Sequence, residues 1–246
     1  MLGYAYMNRR PHHLAPATRA ILALALLVPV PSIGVYFGMW SELTAGTPIG
    51  KTIYTAGKVW LFAFPAVWWL FIERGRWSWS PPDRGGLGVG LLSGIVIGAI
   101  ILGAYALFGG TLIDPDLVRD AAAQSGIDTL GWFLTLAIYI TFINALLEEY
   151  VWRWFVVQQW EGVLRSGVTW LAVPLSALCF MIHHTIALGA QFGLVIVVLG
   201  SLGVFLGGLT WSIFYTRYRS IWPAYLSHVL VDIAVFIVGY DLIFGL

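Results

Sequence analysis

Long stretches without a single charged residue are the feature that most limits how this chain can fold. No Asp, Glu, Lys or Arg occurs between Ala20 and Ser41, between Gly85 and Ile113, or in residues 166–216. A soluble domain has about 25% charged residues, whereas only 10% of this chain is charged and 59% is hydrophobic. Because such a chain cannot cover itself with polar surface, we expect the lipid bilayer to be its solvent.

Seven segments are apolar enough to cross a bilayer, which takes about 20 residues. The candidate spans are 19–40, 52–73, 86–109, 130–152, 168–187, 191–215 and 221–241, of which the second is interrupted by Lys58. The charge-free stretch 166–216 is too long for one helix, and Gly189 and Gln191 mark its reversal. The segments are too long for barrel strands and do not alternate with period two, which leaves helices. The sequence predicts an all-α, polytopic transmembrane helix bundle of about seven spans, with room for an eighth helical element, in a single membrane domain over residues 1–246.

Charges in the loops predict the orientation, because Lys and Arg are enriched on the cytoplasmic side of membrane proteins. With seven spans and a cytoplasmic N-terminus, only Lys51 and Arg119 fall on the outer side. The inner side then collects Arg9, Arg10, Arg19, Arg74, Arg76, Arg84, Arg153, Arg165, Arg217 and Arg219. We expect a cytoplasmic N-terminus and a multi-pass protein of a bacterial or archaeal plasma membrane. A net charge of +1 without a basic run predicts no nucleic-acid partner.

Ionisable side chains inside the spans form three groups, although a charge at a helix centre in the bilayer costs about 2.5–3.5 kcal/mol. The first group is Glu148, Glu149 and Arg153, at the end of the fourth span. Glu149 and Arg153 are four residues apart on one helix face, whereas Glu148 points about 100° away. This spacing predicts an ion pair between Glu149 and Arg153 and leaves Glu148 free to act as a general base. Alternatively, all three form an interfacial charge cluster that ends the helix.

The second and third groups lie on the fifth and seventh spans. Phe180 and His184 share a helix face, and His183 points about 100° away, toward lipid, another helix or the loop. His228 and Asp232 are also four residues apart on one face. Each group has a structural interpretation as well, in which the histidines only pack or form hydrogen bonds that satisfy their neighbours.

In chain order the three groups read Glu-Glu-x-x-x-Arg, Phe-x-x-x-His and His-x-x-x-Asp. This order resembles the CPBP family, which comprises the CAAX proteases and bacteriocin-processing enzymes and is also called Abi. The resemblance covers residues 130–245 as a motif-bearing catalytic core. Residues 1–129 share no motif with the family and support the resemblance only by being apolar. It implies an intramembrane glutamic endopeptidase, similar to the CAAX prenyl protease, that acts on a membrane-associated protein or peptide in the lipid bilayer.

The resemblance also implies a role for each motif residue. Glu148 and His184 would activate a water, and His228 and Asp232 would line the oxyanion site. The supporting residues would be Glu149, Arg153 and Phe180. An ionised Asp cannot donate a hydrogen bond, so Asp232 is either protonated or accepts from His228 and fixes the tautomer of that ring. The spacing of four residues favours the second possibility.

We expect no cofactor, but three other functions remain open. In a zinc protease, Glu148, His184 and His228 would be the ligands and water the fourth; the His-Glu-x-x-His spacing of zinc proteases is absent, which favours the metal-free mechanism. A transporter or channel would use the buried polar groups to bind an ion or relay protons. A non-catalytic membrane partner would keep the motifs as scaffold.

The depth of the motif residues in the membrane limits any shared site. At about 1.5 Å per residue along straight helices, Glu148 lies near the cytoplasmic end of its span and His184 near the outer end of its own. His228 lies about 10 Å below the cytoplasmic start of its helix. They can meet if the fourth helix continues to about Trp160 and the fifth is broken or tilted.

Overall fold

The computed structural model describes residues 16–164 and 166–245, and this part of the chain forms eight helices and no strand. Seven of the helices are long and apolar enough to span a membrane, and α4, which has 11 residues, is not. The helices are α1 (Pro16–Trp40), α2 (Pro48–Ile72), α3 (Leu87–Leu112), α4 (Pro115–Ser125), α5 (Leu130–Val163), α6 (Thr169–Gly189), α7 (Leu194–Tyr218) and α8 (Trp222–Phe244). The prediction of a seven-span helical membrane protein with an eighth helical element is confirmed.

Helix α5 differs most from its predicted span, because it has 34 residues and continues to Val163 instead of ending at residue 152. Two segments inside it are π-helical, Tyr139–Asn144 and Tyr150–Val156. Such wider turns are frequent at functional sites. The predicted reversal after the fifth span is confirmed, since α6 ends at Gly189 and α7 begins at Leu194.

The two halves of α5 have different surroundings. Its N-terminal half presents large side chains away from the protein, and Trp132 and Ile138 are 64% and 60% exposed. Its C-terminal half is enclosed by α1, α2, α6 and α7. The enclosed residues are Val151, Trp152, Arg153, Phe155, Val156 and Val157, each at most 1% exposed. The charged residues that were expected to end the fourth span therefore lie within its protein-buried part.

Helices α3 and α8 approach closely through small residues. A Cβ atom on Gly94 would lie 2.9 Å from Cα of Ser227, and one on Gly98 would lie 3.5 Å from Cβ of Ala234. Glycines four residues apart share a helix face and let two backbones come together. This contact fixes α8 against α3 and so positions His228, the neighbour of Ser227.

The described charges retain the asymmetry from which the orientation was predicted. Arg74, Arg76 and Arg84 lie in or next to the α2–α3 connection, which joins two spans at the end opposite to Lys51 and Arg119. Arg153, however, is fully buried inside α5, so its assignment to a cytoplasmic loop is wrong. The predicted contributions of Arg9, Arg10 and Arg165 lie outside the described residues. A cytoplasmic N-terminus stays a prediction.

Candidate active site

A cavity of about 250 Å³ lies between α1, α2, α5, α6 and α8. Glu148, His184, His228 and Asp232 all line it. Glu148 is only 3% exposed, and its Oε2 lies 4.0 Å from Nε2 of His228. Three motifs that are far apart in the sequence therefore meet at one cavity.

Straight helices of the predicted lengths would place Glu148 and His184 at different depths, and the length of α5 resolves most of that difference. Because this helix continues past Trp160 to Val163, Glu148 is fifteen residues from its end and lies well inside a long apolar helix. Of the two alternatives expected for the fifth span, a break or a tilt, the break is absent, since the α-helical part of α6 is continuous from Ala172 to Gly189. The long fourth span is thus the part of that expectation that the structure bears out.

The second carboxylate of the double-glutamate motif points into the protein core. Glu149 is fully buried, and its Oε2 lies 3.2 Å from Nε of Arg153, so the predicted ion pair is formed. Its Oε1 accepts a hydrogen bond of 2.9 Å from Nδ1 of His228. One buried carboxylate therefore connects the first motif to the third.

Aromatic rings complete the surroundings of the buried arginine. The guanidinium carbon of Arg153 lies 4.6 Å from the ring centroid of Phe180 and 5.3 Å from that of Trp211. Aromatic faces attract cations, more strongly where water is excluded. The Phe180 ring also contacts His184, with 4.5 Å between centroids. Phe180 thus supports both a charge of the first motif and the histidine of the second.

Trp211 is a site residue that the sequence analysis missed. Its ring stacks on His228 with centroids 4.0 Å apart and an interplanar angle of 18°. Its Nε1 donates a hydrogen bond of 3.0 Å to Oγ of Ser227. An aromatic residue in an apolar helix such as α7 gives no signal in a single sequence, so nothing distinguished Trp211 from a core residue.

His184 has a defined arrangement of its ring nitrogens. Its Nδ1 lies 2.9 Å from the backbone oxygen of Phe180, one turn earlier on α6. A carbonyl oxygen only accepts hydrogen bonds, so Nδ1 carries the proton and, in the neutral ring, Nε2 is an acceptor. His184 can therefore accept a hydrogen bond from a water in the cavity.

Asp232 does not make the hydrogen bond that the sequence predicted. Its Oδ1 is 3.7 Å from Nε2 of His228, which is an ion-pair distance and too long for a hydrogen bond. The Nδ1–H of His228 instead donates to Glu149. The expectation failed because a spacing of four residues describes neighbours on one helix only. The acceptor that His228 uses, Glu149, lies on another helix, α5. The Oδ2 atom of Asp232 is buried and has no hydrogen-bond partner among the described residues.

Lys58 and Asn144 extend the polar surface of the cavity and were not predicted as site residues. The Nζ of Lys58 donates to Oδ1 of Asn144 at 2.9 Å and lies 3.8 Å from Oε1 of Glu148. A lysine in the middle of a predicted span is itself a signal for a functional site. In the sequence analysis, Lys58 was used only to weaken the second span.

A possible metal-ligand set also occurs at the cavity, although it is not the predicted one. Ligand atoms of Glu148, His183 and His184 lie within 4.8 Å of one another. His183 takes the place expected for His228, whose Nδ1 is bonded to Glu149. It is buried, stacks on Trp152 at 5.3 Å, and has no hydrogen-bond partner for Nδ1 among the described residues. Two imidazoles and one carboxylate are a chemically suitable set for zinc.

Comparison with known proteins agrees with the motif order. The family model for Type II CAAX prenyl endopeptidase Rce1-like proteins matches residues 130–234. No match is found among curated proteins or among solved structures. The matched segment begins with α5 and contains all three motifs, from Glu148 to Asp232. By this match, residues 130–234 of the chain, a multi-pass membrane protein, are similar to the Type II CAAX prenyl endopeptidases.

Proposed function

We propose that this protein hydrolyses a peptide bond of a membrane-associated protein or peptide, using a water activated by Glu148 and His184. The observation that carries the proposal is the meeting of Glu148, His184 and His228 at one buried cavity. They come from three helices and are separated by long apolar segments. In a membrane interior, ionisable groups are costly and usually mark a site.

The side chains supply the groups that amide hydrolysis needs. Glu148 takes one proton from the water, while Nε2 of His184 accepts a hydrogen bond from the O–H that remains and orients the attack. The water oxygen bonds to the carbonyl carbon, and the carbonyl oxygen becomes an oxyanion. Glu148 then gives its proton to the leaving nitrogen as the carbon–nitrogen bond breaks. General acid–base catalysis of this kind contributes typically 10²–10⁴-fold to a rate.

His228 is placed to stabilise the oxyanion. With Nδ1–H bonded to Glu149, a donor at Nε2 requires the doubly protonated ring. Carboxylates of Glu148, Glu149 and Asp232 surround that ring and favour its positive charge. Arg153 balances the buried charge of Glu149 from the other side. Donors fixed in advance toward a developing oxyanion are among the largest contributions to catalysis.

The membrane position limits the substrates. The cavity lies among membrane-spanning helices, so a substrate has to be anchored in or at the bilayer. The matched family is described as a CAAX prenyl endopeptidase, which makes an S-prenylated C-terminal peptide the first substrate to test. A plasma-membrane location in a prokaryote, expected from the loop charges, is part of the proposal.

Proteolysis by the purified protein in lipid nanodiscs tests the proposed function. We expect the wild type to cut an S-farnesylated peptide and Glu148→Gln to lose at least 10²-fold in kcat/KM. Glu42→Gln, in the exposed connection between α1 and α2, is the matched control and should cut at the wild-type rate. Cleavage that survives Glu148→Gln would remove the proposed base.

A zinc-dependent protease is the second candidate, favoured by the 4.8 Å grouping of Glu148, His183 and His184. Those three side chains would hold the ion, and the metal would supply a Lewis acid when bound. Dialysis against a chelator separates the two mechanisms. Unchanged cleavage supports the glutamic mechanism, whereas loss that zinc restores supports the metal site.

A further inference from the structure

A second cavity of about 250 Å³ lies at the end of the bundle where α2 ends and α3 begins. It is bounded by the α2–α3 connection, by the last turn of α7 and by Trp154 of α5. None of the described residues that line it also lines the candidate active-site cavity. Pockets for drug-sized ligands hold roughly 300–1,000 Å³, so this smaller cavity suits a compact polar group.

Hydrogen bonds to the start of α8 hold the α2–α3 connection in place beside this cavity. Oγ of Ser220 donates to the backbone oxygen of Ser80 at 2.7 Å, and the backbone N–H of Ile221 donates to Oγ of Ser80 at 3.0 Å. Nε1 of Trp222 donates to the backbone oxygen of Trp79 at 3.0 Å. Ser80 and Ser220 are both buried. The connection is therefore a fixed wall of the cavity.

Asp83 and Arg84 bring one negative and one positive charge to the lining of this cavity. Among the described residues, neither side chain has a hydrogen-bond or ion-pair partner, and they do not pair with each other. Gly86, which follows them, has a φ of +94°, and a Cβ atom there would lie 2.7 Å from the ring of Tyr218. The chain thus turns tightly against α7, and the turn keeps both charges next to the cavity.

Arg219 is the third charged residue of the described lining, and its charge is already balanced. Its two terminal guanidinium nitrogens bond to the carboxylate of Glu161 at 2.8 Å and 2.9 Å. The cavity therefore offers a ligand one cation, on Arg84, and one anion, on Asp83. A ligand that satisfies both has a negative and a positive group a few bonds apart.

The surroundings of the cavity match the depth of lipid headgroups. Trp77 and Trp79 in the same connection are 55% and 72% exposed, and tryptophan is enriched where headgroups meet the hydrocarbon. Leu87, the first residue of α3, is 42% exposed and begins the apolar surface of that helix. A phospholipid combines a polar headgroup at this depth with chains that can lie along α3.

We propose that this cavity binds the headgroup of a phosphatidylethanolamine molecule from the adjoining leaflet. The guanidinium of Arg84 bonds to the phosphate, whose oxygens match its planar donors. The carboxylate of Asp83 accepts from the primary ammonium, which has three N–H donors. Phosphatidylcholine has the same charges but no N–H on its nitrogen, and phosphatidylglycerol has the phosphate without a cation. The site is independent of the proposed proteolysis.

Native mass spectrometry of the purified protein with dioleoyl phosphatidylethanolamine, phosphatidylcholine and phosphatidylglycerol tests the inference. We expect the wild type to retain one phosphatidylethanolamine with a preference of roughly fivefold over each other lipid, the effect of one partly exposed ion pair. Asp83→Asn should abolish the preference over phosphatidylcholine. Arg84→Gln should weaken binding of both lipids roughly fivefold. Arg76→Gln, exposed in the same connection but outside the lining, is the matched control and should bind as wild type.

Other results would contradict the proposed headgroup site. Equal retention of the three lipids by the wild type, or a preference that survives Asp83→Asn, would overturn it. Tighter binding of phosphatidylglycerol would mean that the arginines only attract anionic lipid. Displacement of the lipid by an equal concentration of soluble phosphoethanolamine would mean that the ligand is a free metabolite. Both substitutions change exposed side chains, and unaltered unfolding temperatures in detergent would show that the variants remain folded.

Discussion

Glu149 bonds to two groups at once, which makes this one side chain important for both folding and chemistry. It neutralises Arg153 and accepts from His228, and it is completely buried. Removing one partner of a buried ion pair typically costs about 3–5 kcal/mol because the remaining charge stays uncompensated. The same change also removes the hydrogen-bond acceptor of Nδ1 of His228.

Replacing Glu149 and Arg153 separately and together tests this double role. We expect Glu149→Leu to lower the thermal unfolding temperature strongly, in line with a loss of about 3–5 kcal/mol. The double variant with Arg153→Met should regain most of that temperature, since neither member of this ion pair is left buried without its partner. It should remain inactive, because His228 still lacks its acceptor. A double variant that cuts peptide would show that Glu149 acts on stability alone.

His183 and His184 are adjacent, yet we expect them to differ in importance. His183→Phe keeps the stacking on Trp152 and should change kcat/KM by only a few-fold. His184→Phe removes the acceptor for the water and should cost 10²–10⁴-fold. Peptide cleavage and metal content of both variants provide the measurement. Equal loss of activity, accompanied by loss of bound zinc, would favour the metal site.

At the residue scale, the sequence predicted contacts within one helix better than contacts between helices. The Glu149–Arg153 pair followed directly from a spacing of four residues. The acceptor for His228 was predicted on its own helix and is found on α5. Helical periodicity tells which residues share a face of one helix, but not which residues of another helix contact that face. The contact of Trp211 on α7 with His228 on α8 could not be predicted for the same reason.

At the scale of helices, α3 and α8 form a close pair that controls the position of the third motif. Gly94 and Gly98 face Ser227 and Ala234 on α8. Side chains at this contact would push the two helices apart, and His228 would move with α8.

A pair of leucine substitutions tests the α3–α8 contact. Gly94→Leu should destabilise the protein by about 1–3 kcal/mol, the usual cost of overpacking, and should reduce cleavage. Gly103→Leu on the same helix has no atom within 4 Å of the added Cβ and should be neutral. Thermal unfolding in detergent measures both. Equal unfolding temperatures for the two variants would contradict the close contact.

Helix boundaries were predictable for most spans, including those that contain Lys58 and Asp232. Six spans lie within a few residues of their predicted ends. The end of α5 was missed because Glu148, Glu149 and Arg153 were taken to mark a membrane surface. In the structure Glu149 pairs with Arg153 and with His228, and the Arg153 guanidinium lies against the Phe180 ring inside the protein. Charged residues inside a span therefore do not mark its end when other helices supply buried partners for them.

At the scale of the whole molecule, the orientation in the membrane is testable by thiol labelling. In a Cys179→Ala background, Gln124→Cys lies in α4 and Asp83→Cys in the α2–α3 connection, and both positions are exposed. With a cytoplasmic N-terminus, a membrane-impermeant maleimide added to intact cells should label position 124. Position 83 should react only after permeabilisation. The reverse pattern would show that the N-terminus lies outside.

The walls of the cavity come from two separate stretches of the chain. The groups proposed to break the peptide bond belong to the family-matched segment 130–234. The facing wall is built by α1 and α2, outside that segment; its residues are Pro31, Gly34, Val35, Met39, Tyr54, Gly57, Lys58 and Leu61. The groups proposed for hydrolysis and the wall that faces them are therefore encoded in separate stretches of the chain. Substitutions in α1 and α2 would reshape the surface that a substrate meets and leave the groups proposed for hydrolysis in place.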